Sequence, residues 1–127
     1  SHQNDHKFVA HQIFLDGGPL AILPLQGKRS TFVWSLPVEM GNKLKIYDDK
    51  IFINCLRENI GDILTNLSLT NEKKIFPLYL KFLRDSIDNR KVFIGDSAQA
   101  IHPLAGQGLN LGLRDVASLV EILLLTQ

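Results

Sequence analysis

The first third of the chain is patterned like a set of short β-strands. A period of two extends from Lys7 to Phe14 and again from Thr31 to Leu36, as in half-buried strands. Between them, Leu20 to Leu25 is a short and almost entirely apolar run. Glycine-containing turn sequences separate the three runs at 16–19 and 26–29. The pattern predicts an antiparallel meander of three strands.

The period changes after this meander. Apolar residues then recur at spacings of three and four, which predicts a helix that Asp48 or Asp49 can cap. Its apolar residues are Ile51, Phe52, Cys55, Leu56, Ile60 and Ile63. A polar loop follows, and alternation from Lys74 to Leu83 predicts a further strand. A polar connection at 85–90 ends this part of the chain.

The last third has the pattern of a strand, a loop and a helix. The strand is predicted at Lys91 to Ile94, the loop at Ser97 to Gly108 and the helix at Leu109 to Thr126. The main apolar stripe of the helix consists of Leu109, Leu113, Val116, Val120, Leu123 and Leu124. Its opposite side carries Leu111, Ile122 and Leu125. A helix that is apolar on both sides needs cover on both, so we expect exposed apolar surface and self-association into a homo-oligomer.

Together these elements predict a mixed fold. Residues 1–85 have the α+β pattern of an antiparallel sheet segment with a helix, and residues 86–127 have the strand–loop–helix pattern of an α/β domain. We place a domain boundary between these two ranges.

Composition and charge exclude several classes of function. The net charge is +1 and the basic residues are scattered, so a nucleic-acid partner is not expected. No apolar run approaches the roughly 20 residues of a membrane-spanning helix, and the first residues do not resemble a signal peptide. We therefore expect a cytoplasmic protein.

Neither the cysteine nor the histidines indicate a metal site. Cys55 is the only cysteine, and its helical pattern favours a core position over a reactive thiol. His2, His6 and His11 lack a metal-ligand spacing with carboxylates, so we expect them to be solvated or to lie on strand faces. We predict no metal and assign no catalytic residue.

Candidate chemistry lies near the start of the last helix. Asp96 follows the predicted strand at the end where open sheets bind ligands. Gly106 and Gly108 precede a long helix, whose first amides and positive dipole end favour an anion. A ligand with a sugar alcohol at Asp96 and a delocalised anion at the helix start would have the chemistry of a reduced flavin. A strand–loop–helix unit without a ligand fits these features equally well.

The literal sequence favours the flavin. Residues 95–115, GDSAQAIHPLAGQGLNLGLRD, closely resemble the second flavin-binding signature of the class A flavoprotein monooxygenases. They are most similar to the hydroxylases of ubiquinone biosynthesis. Gln99 stands where that family usually has histidine, and Ser97 stands where it has alanine. Segments 18–25 and 33–37 resemble substrate-domain strands of the same family, and segment 76–78 resembles the strand that leads back to its cofactor domain.

The resemblance implies a set of cofactor contacts. In the family, the aspartate matching Asp96 binds a ribityl hydroxyl of FAD, and the proline matching Pro103 lies beside the ring. The backbone amides that face the pyrimidine edge match Gly106, Gln107, Gly108, Leu109 and Asn110.

Two questions about other residues stay open. Ile22, Leu23 and Pro24 either border an aromatic substrate or pack in a core. Arg114 and Asp115 either lie on a solvated helix face or brace the cofactor loop.

The resemblance also implies a domain assignment and an activity. Residues 1–85 would be part of the substrate-binding β-sheet domain, and residues 86–127 the C-terminal part of the FAD-binding domain. The activity would be hydroxylation of an aromatic ring, of a polyprenylated phenol in ubiquinone biosynthesis, with FAD, O₂ and NAD(P)H or another electron donor. Peripheral association with the inner membrane or with a biosynthetic complex is a further expectation.

Two family motifs do not occur in the chain. These are the GxGxxG motif that binds the ADP half of FAD and the middle motif that contacts FAD and NAD(P)H. We therefore expect a fragment of such an enzyme that is inactive alone. The alternative is a non-catalytic truncated domain with an assembly or scaffold role.

Overall fold

The computed structural model describes residues 1–103 and 106–125. The chain divides into two compact units, residues 1–76 and 77–127. The first is a small α+β unit with an antiparallel sheet, and the second contains short strands and one long helix. The mixed content of strands and helices agrees with the predicted fold class. The assignment of 1–85 and 86–127 to two domains of the family stays a prediction.

The predicted meander is confirmed. Strands β1 (His11–Leu15), β2 (Gly18–Leu25) and β3 (Arg29–Trp34) form an antiparallel sheet in the order β1-β2-β3. The turn into β2 requires a glycine, because Gly18 has a φ of +126° and a Cβ built on it would lie 2.3 Å from the Ser35 carbonyl oxygen.

The start of β1 differs from the prediction. The period of two begins at Lys7, whereas the strand begins at His11, and Lys7 and Phe8 have φ values of +51° and +56°. Local hydrogen bonds hold this turn: Lys7 N–H donates to Asp5 Oδ1 at 2.8 Å and Phe8 N–H donates to His6 Nδ1 at 3.0 Å. These short side chains offer the backbone an alternative to strand pairing.

Two histidines of the N-terminal segment are buried, so the expectation of solvated or strand-face positions is wrong for them. His2 is 6% exposed and His6 is 7% exposed. His2 Nε2 lies 3.0 Å from Ser30 Oγ, and His6 Nε2 lies 2.9 Å from both the Leu25 and Gly27 carbonyl oxygens. They fasten the N-terminal segment to the turn between β2 and β3. Within residues 1–103 and 106–125, no group of side chains could hold a metal ion.

The helix predicted after Asp48 is confirmed. Helix α2 spans Asp49–Ile60, and the Asp48 carboxylate accepts a hydrogen bond from Ile51 N–H at 2.8 Å. A 3-10 turn, Gly61–Ile63, follows it. Helix α1, Val38–Ile46, was not predicted. None of its residues is buried, so it lacks the apolar stripe that identifies a helix in a sequence.

The hydrophobic core lies in the first unit, between one face of the sheet and α2. Its fully enclosed residues come from β2, α2 and the segment after α2. They are Leu20, Ile22, Leu56, Ile60 and Leu64. Phe32 and Trp34 pack against this core from β3, as the alternation predicts, and Cys55 on α2 is half-buried.

The prediction of a strand from Lys74 to Leu83 is wrong over most of that range. Only β4, Lys81–Phe82, is a strand, and it pairs with β7, Gln99–Ala100. Residues 74–80 have no strand beside them in the part of the chain that the structure describes. An alternating sequence becomes a strand only where a neighbour satisfies its backbone N–H and C=O groups.

The predicted strand Lys91 to Ile94 is shorter and more exposed than expected. It is reduced to β6, Lys91–Val92, paired with β5, Ile87–Asp88, and both are exposed. The polar connection therefore contains a hairpin rather than a simple link. Asn89 in its turn has a φ of +50°, which asparagine tolerates better than most residues.

Helix α3 spans Gly108–Leu125, close to the predicted range, while Thr126 lies outside the described residues. Its packing face differs from the predicted main stripe. The half-buried positions are Gly108, Leu111, Gly112, Asp115 and Leu119, whereas the predicted main stripe is exposed throughout. Apolar surface is exposed on both sides of the helix, as predicted. No helix in the described ranges is both long and apolar enough to cross a membrane.

Candidate flavin-binding site

Asp96 lies in a single 3-10 turn, Gly95–Ser97, that follows an extended residue, Ile94. Gly95 has a φ of +57°, a conformation that favours glycine. The Ser97 hydroxyl closes the turn, because it donates to the Ile94 carbonyl at 2.6 Å and accepts from Ile94 N–H at 3.2 Å. The alanine that the family usually has at this position could not make these bonds. The departure at Ser97 therefore has a local structural role.

Helix α3 holds the same turn from the other side. Gly95 N–H donates to Asp115 Oδ2 at 2.8 Å. A Cβ built on Gly112 would lie 3.5 Å from Gly95 Cα, so the turn rests on the helix backbone with no side chain between them. Of the two alternatives left open for Asp115, the structure shows a half-buried residue that braces the turn.

The carboxylate of Asp96 lies beside the start of α3. A Cβ built on Gly108 would be 4.0 Å from Asp96 Oδ1. Asp96 is exposed, and its carboxylate has no hydrogen bond or ion pair within the described ranges. It is therefore an available acceptor next to the positive end of a helix dipole.

Backbone donors are available at the same place. The first helical hydrogen bond runs from Leu111 N–H to the Gln107 carbonyl at 2.9 Å. The amides of Gly108, Leu109 and Asn110 precede it and have no partner inside the helix. An acceptor from a side chain and donors from a helix start thus lie within one short region.

The loop before α3 is open at its glycine. Gly106 has a φ of +60°, and a Cβ built on it would meet nothing within 4 Å. Its N–H donates to the Pro103 carbonyl at 3.0 Å, which links two of the predicted site residues. Leu104 and Ala105 lie outside the described residues.

These residues fit the cofactor that the sequence predicts. A flavin offers ribityl hydroxyls that can donate to the Asp96 carboxylate, and a pyrimidine edge that accepts from backbone amides. The Asp96 carboxylate is the acceptor, and the amides at the start of α3 are donors beside it. Among the described residues, nothing lies within 4 Å of a Cβ built on Gly106, so a flat ring can approach the backbone there. All seven predicted site residues lie in the second unit, at or just before the start of α3.

The residues of β2 for which substrate contact and core packing were both left open differ from one another. Ile22 is buried in the core of the first unit, so core packing is the correct alternative for it. Leu23 is partly exposed, and it projects to the opposite face of β2. Only the outward positions of this strand stay available to a ligand.

A separate open cleft of about 470 Å³ lies in the first unit. Lys73 lies at its centre, where its Nζ donates to the Tyr47 carbonyl, lies 3.5 Å from Asp49 Oδ1 and stands 5.1 Å from the Phe52 ring centroid. These contacts fasten the loop after α2 to the two helices. The role that they indicate for Lys73 is structural.

Comparison with known proteins identifies the family of the chain. A family model described as FAD binding domain matches residues 1–126. The chain is 38% identical over 122 residues to an uncharacterized protein of Synechocystis sp., covering 96% of this chain and 30% of that protein. It is 36% identical over 126 residues to the ubiquinone hydroxylase UbiL of Rhodospirillum rubrum, covering 99% and 29%. It is 32% identical over 146 residues to the mitochondrial ubiquinone biosynthesis monooxygenase COQ6 of Xenopus tropicalis, covering 89% and 32%.

The chain thus spans about 30% of the length of these curated relatives. The resemblance found in residues 95–115 is confirmed, because two of the relatives carry the names of ubiquinone-biosynthesis oxygenases and the family match extends far beyond the signature. This chain belongs to the FAD binding domain family.

Proposed function

We propose that the protein carrying this chain is an FAD-dependent monooxygenase that hydroxylates an aromatic ring, and that its substrate is a polyprenylated phenol of ubiquinone biosynthesis. The observation that carries the proposal is the free Asp96 carboxylate beside the start of α3, in a chain that matches the FAD binding domain family over residues 1–126. The printed names of UbiL and COQ6 support the substrate class. Bound FAD would supply the oxygen chemistry, with O₂ and NAD(P)H or another electron donor.

The residues of this chain bind and orient the cofactor. Asp96 would accept a hydrogen bond from a ribityl hydroxyl, and the amides of residues 107–110 would donate to the pyrimidine edge. The Gly106 amide, also predicted as a donor, already donates to the Pro103 carbonyl at 3.0 Å. The positive end of the α3 dipole would favour negative charge on the pyrimidine edge of the bound cofactor. Pro103, linked to Gly106 by a hydrogen bond, limits the conformations of the loop beside the ring.

The domain assignment belongs to the same proposal. Residues 1–85 are part of the substrate-binding domain, and residues 86–127 are the C-terminal part of the FAD-binding domain. The protein acts in the cytoplasm, with peripheral association with the inner membrane or a biosynthetic complex to reach a polyprenylated substrate.

The test uses the protein encoded by the complete reading frame that contains this chain, called the full-length protein below. Asp96→Ala removes a charge-assisted hydrogen bond worth roughly 1.5–3 kcal/mol, so the Kd for FAD should rise about ten- to hundredfold. Titration of the FAD-free protein with FAD, followed by flavin fluorescence, measures this. Asp85→Ala, at another exposed carboxylate of the second unit, is the matched control and should leave the Kd unchanged. An unchanged Kd in Asp96→Ala would remove the proposed role of this site.

A second candidate is a non-catalytic domain with an assembly role. The exposed apolar residues on both sides of α3 favour it, because monomeric proteins rarely leave such surfaces uncovered. The complete reading frame distinguishes the two. A GxGxxG strand–turn–helix upstream, together with bound flavin in the purified full-length protein, supports the enzyme. A frame without that motif and a colourless product would support assembly.

A further inference from the structure

The turn that carries Asp96 has little to hold it in place by itself. Gly95 immediately precedes Asp96 and has a φ of +57°, and glycine populates both signs of φ with similar ease. The Ser97 hydroxyl bonds only to Ile94, inside the same local segment. Two backbone bonds hold the end of the turn, from Ala98 N–H to the Gly95 carbonyl at 3.0 Å and from Leu83 N–H to the Ala98 carbonyl at 2.8 Å, but neither reaches α3. The orientation of the Asp96 carboxylate relative to α3 must therefore be set by a contact from α3.

The contact that does this comes from Asp115. Its Oδ2 accepts from Gly95 N–H at 2.8 Å and joins residues 20 positions apart, whereas the other side-chain hydrogen bonds described in the second unit join residues one or three apart. Asp115 is half-buried on α3, where a charged acceptor bonds more strongly than a neutral one. The neighbouring contact between Gly95 and Gly112 has no directional preference, so the carboxylate fixes the rotation of the turn.

We propose that Asp115 is a positioning residue for flavin binding: it holds the Gly95 amide so that the Asp96 carboxylate stays beside the first amides of α3. This inference rests on the proposed function, because it needs Asp96 to contact the cofactor. Asp115 itself points at the protein backbone and touches no ligand. Its effect on FAD should therefore be transmitted entirely through Asp96.

The substitutions separate acceptor geometry from charge and from folding. Asp115→Ala removes the acceptor, and alanine has a higher helix propensity than aspartate, so α3 should not be weakened. Asp115→Asn keeps an oxygen that can accept from the Gly95 amide and loses only the charge. Glu121→Ala is the control, since Glu121 is an exposed carboxylate on the same helix.

In the full-length protein, Asp115→Ala should raise the Kd for FAD about tenfold. The Kd of Asp115→Asn should stay within about threefold of the wild-type value, and that of Glu121→Ala should equal the wild-type value. Hydrogen exchange measured on the FAD-free protein should show faster exchange at the Gly95 amide in Asp115→Ala than in Asp115→Asn. This second readout does not depend on the cofactor.

The double variant Asp96→Ala/Asp115→Ala decides how Asp115 acts. If Asp115 acts through Asp96, the double variant should bind FAD no more weakly than Asp96→Ala alone. Additive losses would overturn the inference in favour of a general structural effect. A normal Kd in Asp115→Ala together with a raised Kd in Asp96→Ala would overturn this inference and leave the proposed function standing. A normal Kd in Asp96→Ala would overturn both.

Discussion

The two units of the chain differ in how far their apolar side chains are buried. The first unit contains all five fully buried apolar residues, between one face of its sheet and α2. Among the described residues of the second unit, none is buried. Yet the second unit holds the 21-residue sequence by which the family is recognised, and the first carries the weaker resemblance.

This difference separates the residues that make a core from those of the proposed binding site. In the first unit the fold follows from burial of leucine and isoleucine side chains. In the second, the described geometry follows from two glycines in contact, a serine hydroxyl and an aspartate on an amide. The backbone near Asp96 is therefore shaped by directional bonds and not by hydrophobic packing.

The largest expected effect lies in the core of the first unit. Leu56→Ala should lower the free energy of unfolding of that unit by about 2–5 kcal/mol, because it leaves a cavity among buried side chains. Leu113→Ala on α3, where Leu113 is 59% exposed, should cost less than about 0.5 kcal/mol. Urea unfolding followed by the fluorescence of Trp34, the only tryptophan, measures the loss in the first unit, and hydrogen exchange of the α3 amides measures the loss in the second. Equal losses would mean that the units do not differ in packing.

Two glycines with positive φ offer a matched pair of substitutions. Gly27 and Gly106 have φ values of +75° and +60°, and a Cβ at either would meet nothing within 4 Å. Valine at either position should therefore introduce backbone strain of roughly 1–2 kcal/mol without a clash. Only Gly106→Val should weaken FAD binding and activity in the full-length protein, and only Gly27→Val should lower the unfolding free energy reported by Trp34. Loss of FAD binding in both variants would contradict the placement of the cofactor at Gly106.

The 127-residue chain purified alone should self-associate and should be colourless. The exposed apolar face of α3 drives association, and Leu113→Lys should weaken it by about 1–2 kcal/mol through loss of a buried leucine. Light scattering measures the association. Absorbance at roughly 450 nm reports bound flavin. We expect no bound flavin, because the contacts at Asp96 cannot offset the cost of ordering the whole cofactor. A yellow monomer would contradict both parts.

The smallest effect concerns the Ser1 amine and applies to the 127-residue chain purified alone. Burial, with a further contribution from Arg29, lowers the pKa of the Ser1 amine from its usual 8.0. The unfolded chain then binds more protons than the folded chain between the two pKa values, so the unfolding free energy should rise as the pH approaches 8 and level off above it. Unfolding by urea from pH 6.5 to 9 measures this rise. N-terminal acetylation should abolish the part due to this amine, and an unchanged slope after acetylation would assign the rise to another group.

Local patterns predicted the elements whose signals are local. The three strands of the meander and the cap at Asp48 were predictable because alternation, turn glycines and a capping carboxylate act over a few residues. The cluster of Asp96 with residues 106–110 was predicted through the resemblance, with the start of α3 as its physical basis.

Features that depend on distant residues could not be read from the pattern. The alternation at residues 74–83 gave only the short strand β4, because pairing depends on a neighbouring strand. His2 and His6 are buried since distant turn carbonyls and Ser30 supply their hydrogen bonds. Helix α1 buries no residue and left no stripe to detect. The bond between Asp115 and Gly95 was likewise one of two open alternatives until the helix and turn were placed together.

The bond between Gly95 and Asp115 joins the two ends of the stretch 95–115, which resembles the family's flavin-binding signature. The stretch that resembles the family begins at one of these residues and ends at the other, and the two are in direct contact. The proposed ligand contacts end at Asn110, and beyond it Gly112 and Asp115 contact the turn at Gly95. The first and last residues of this 21-residue stretch are therefore neighbours in space, and removing either one would break the hydrogen bond between them.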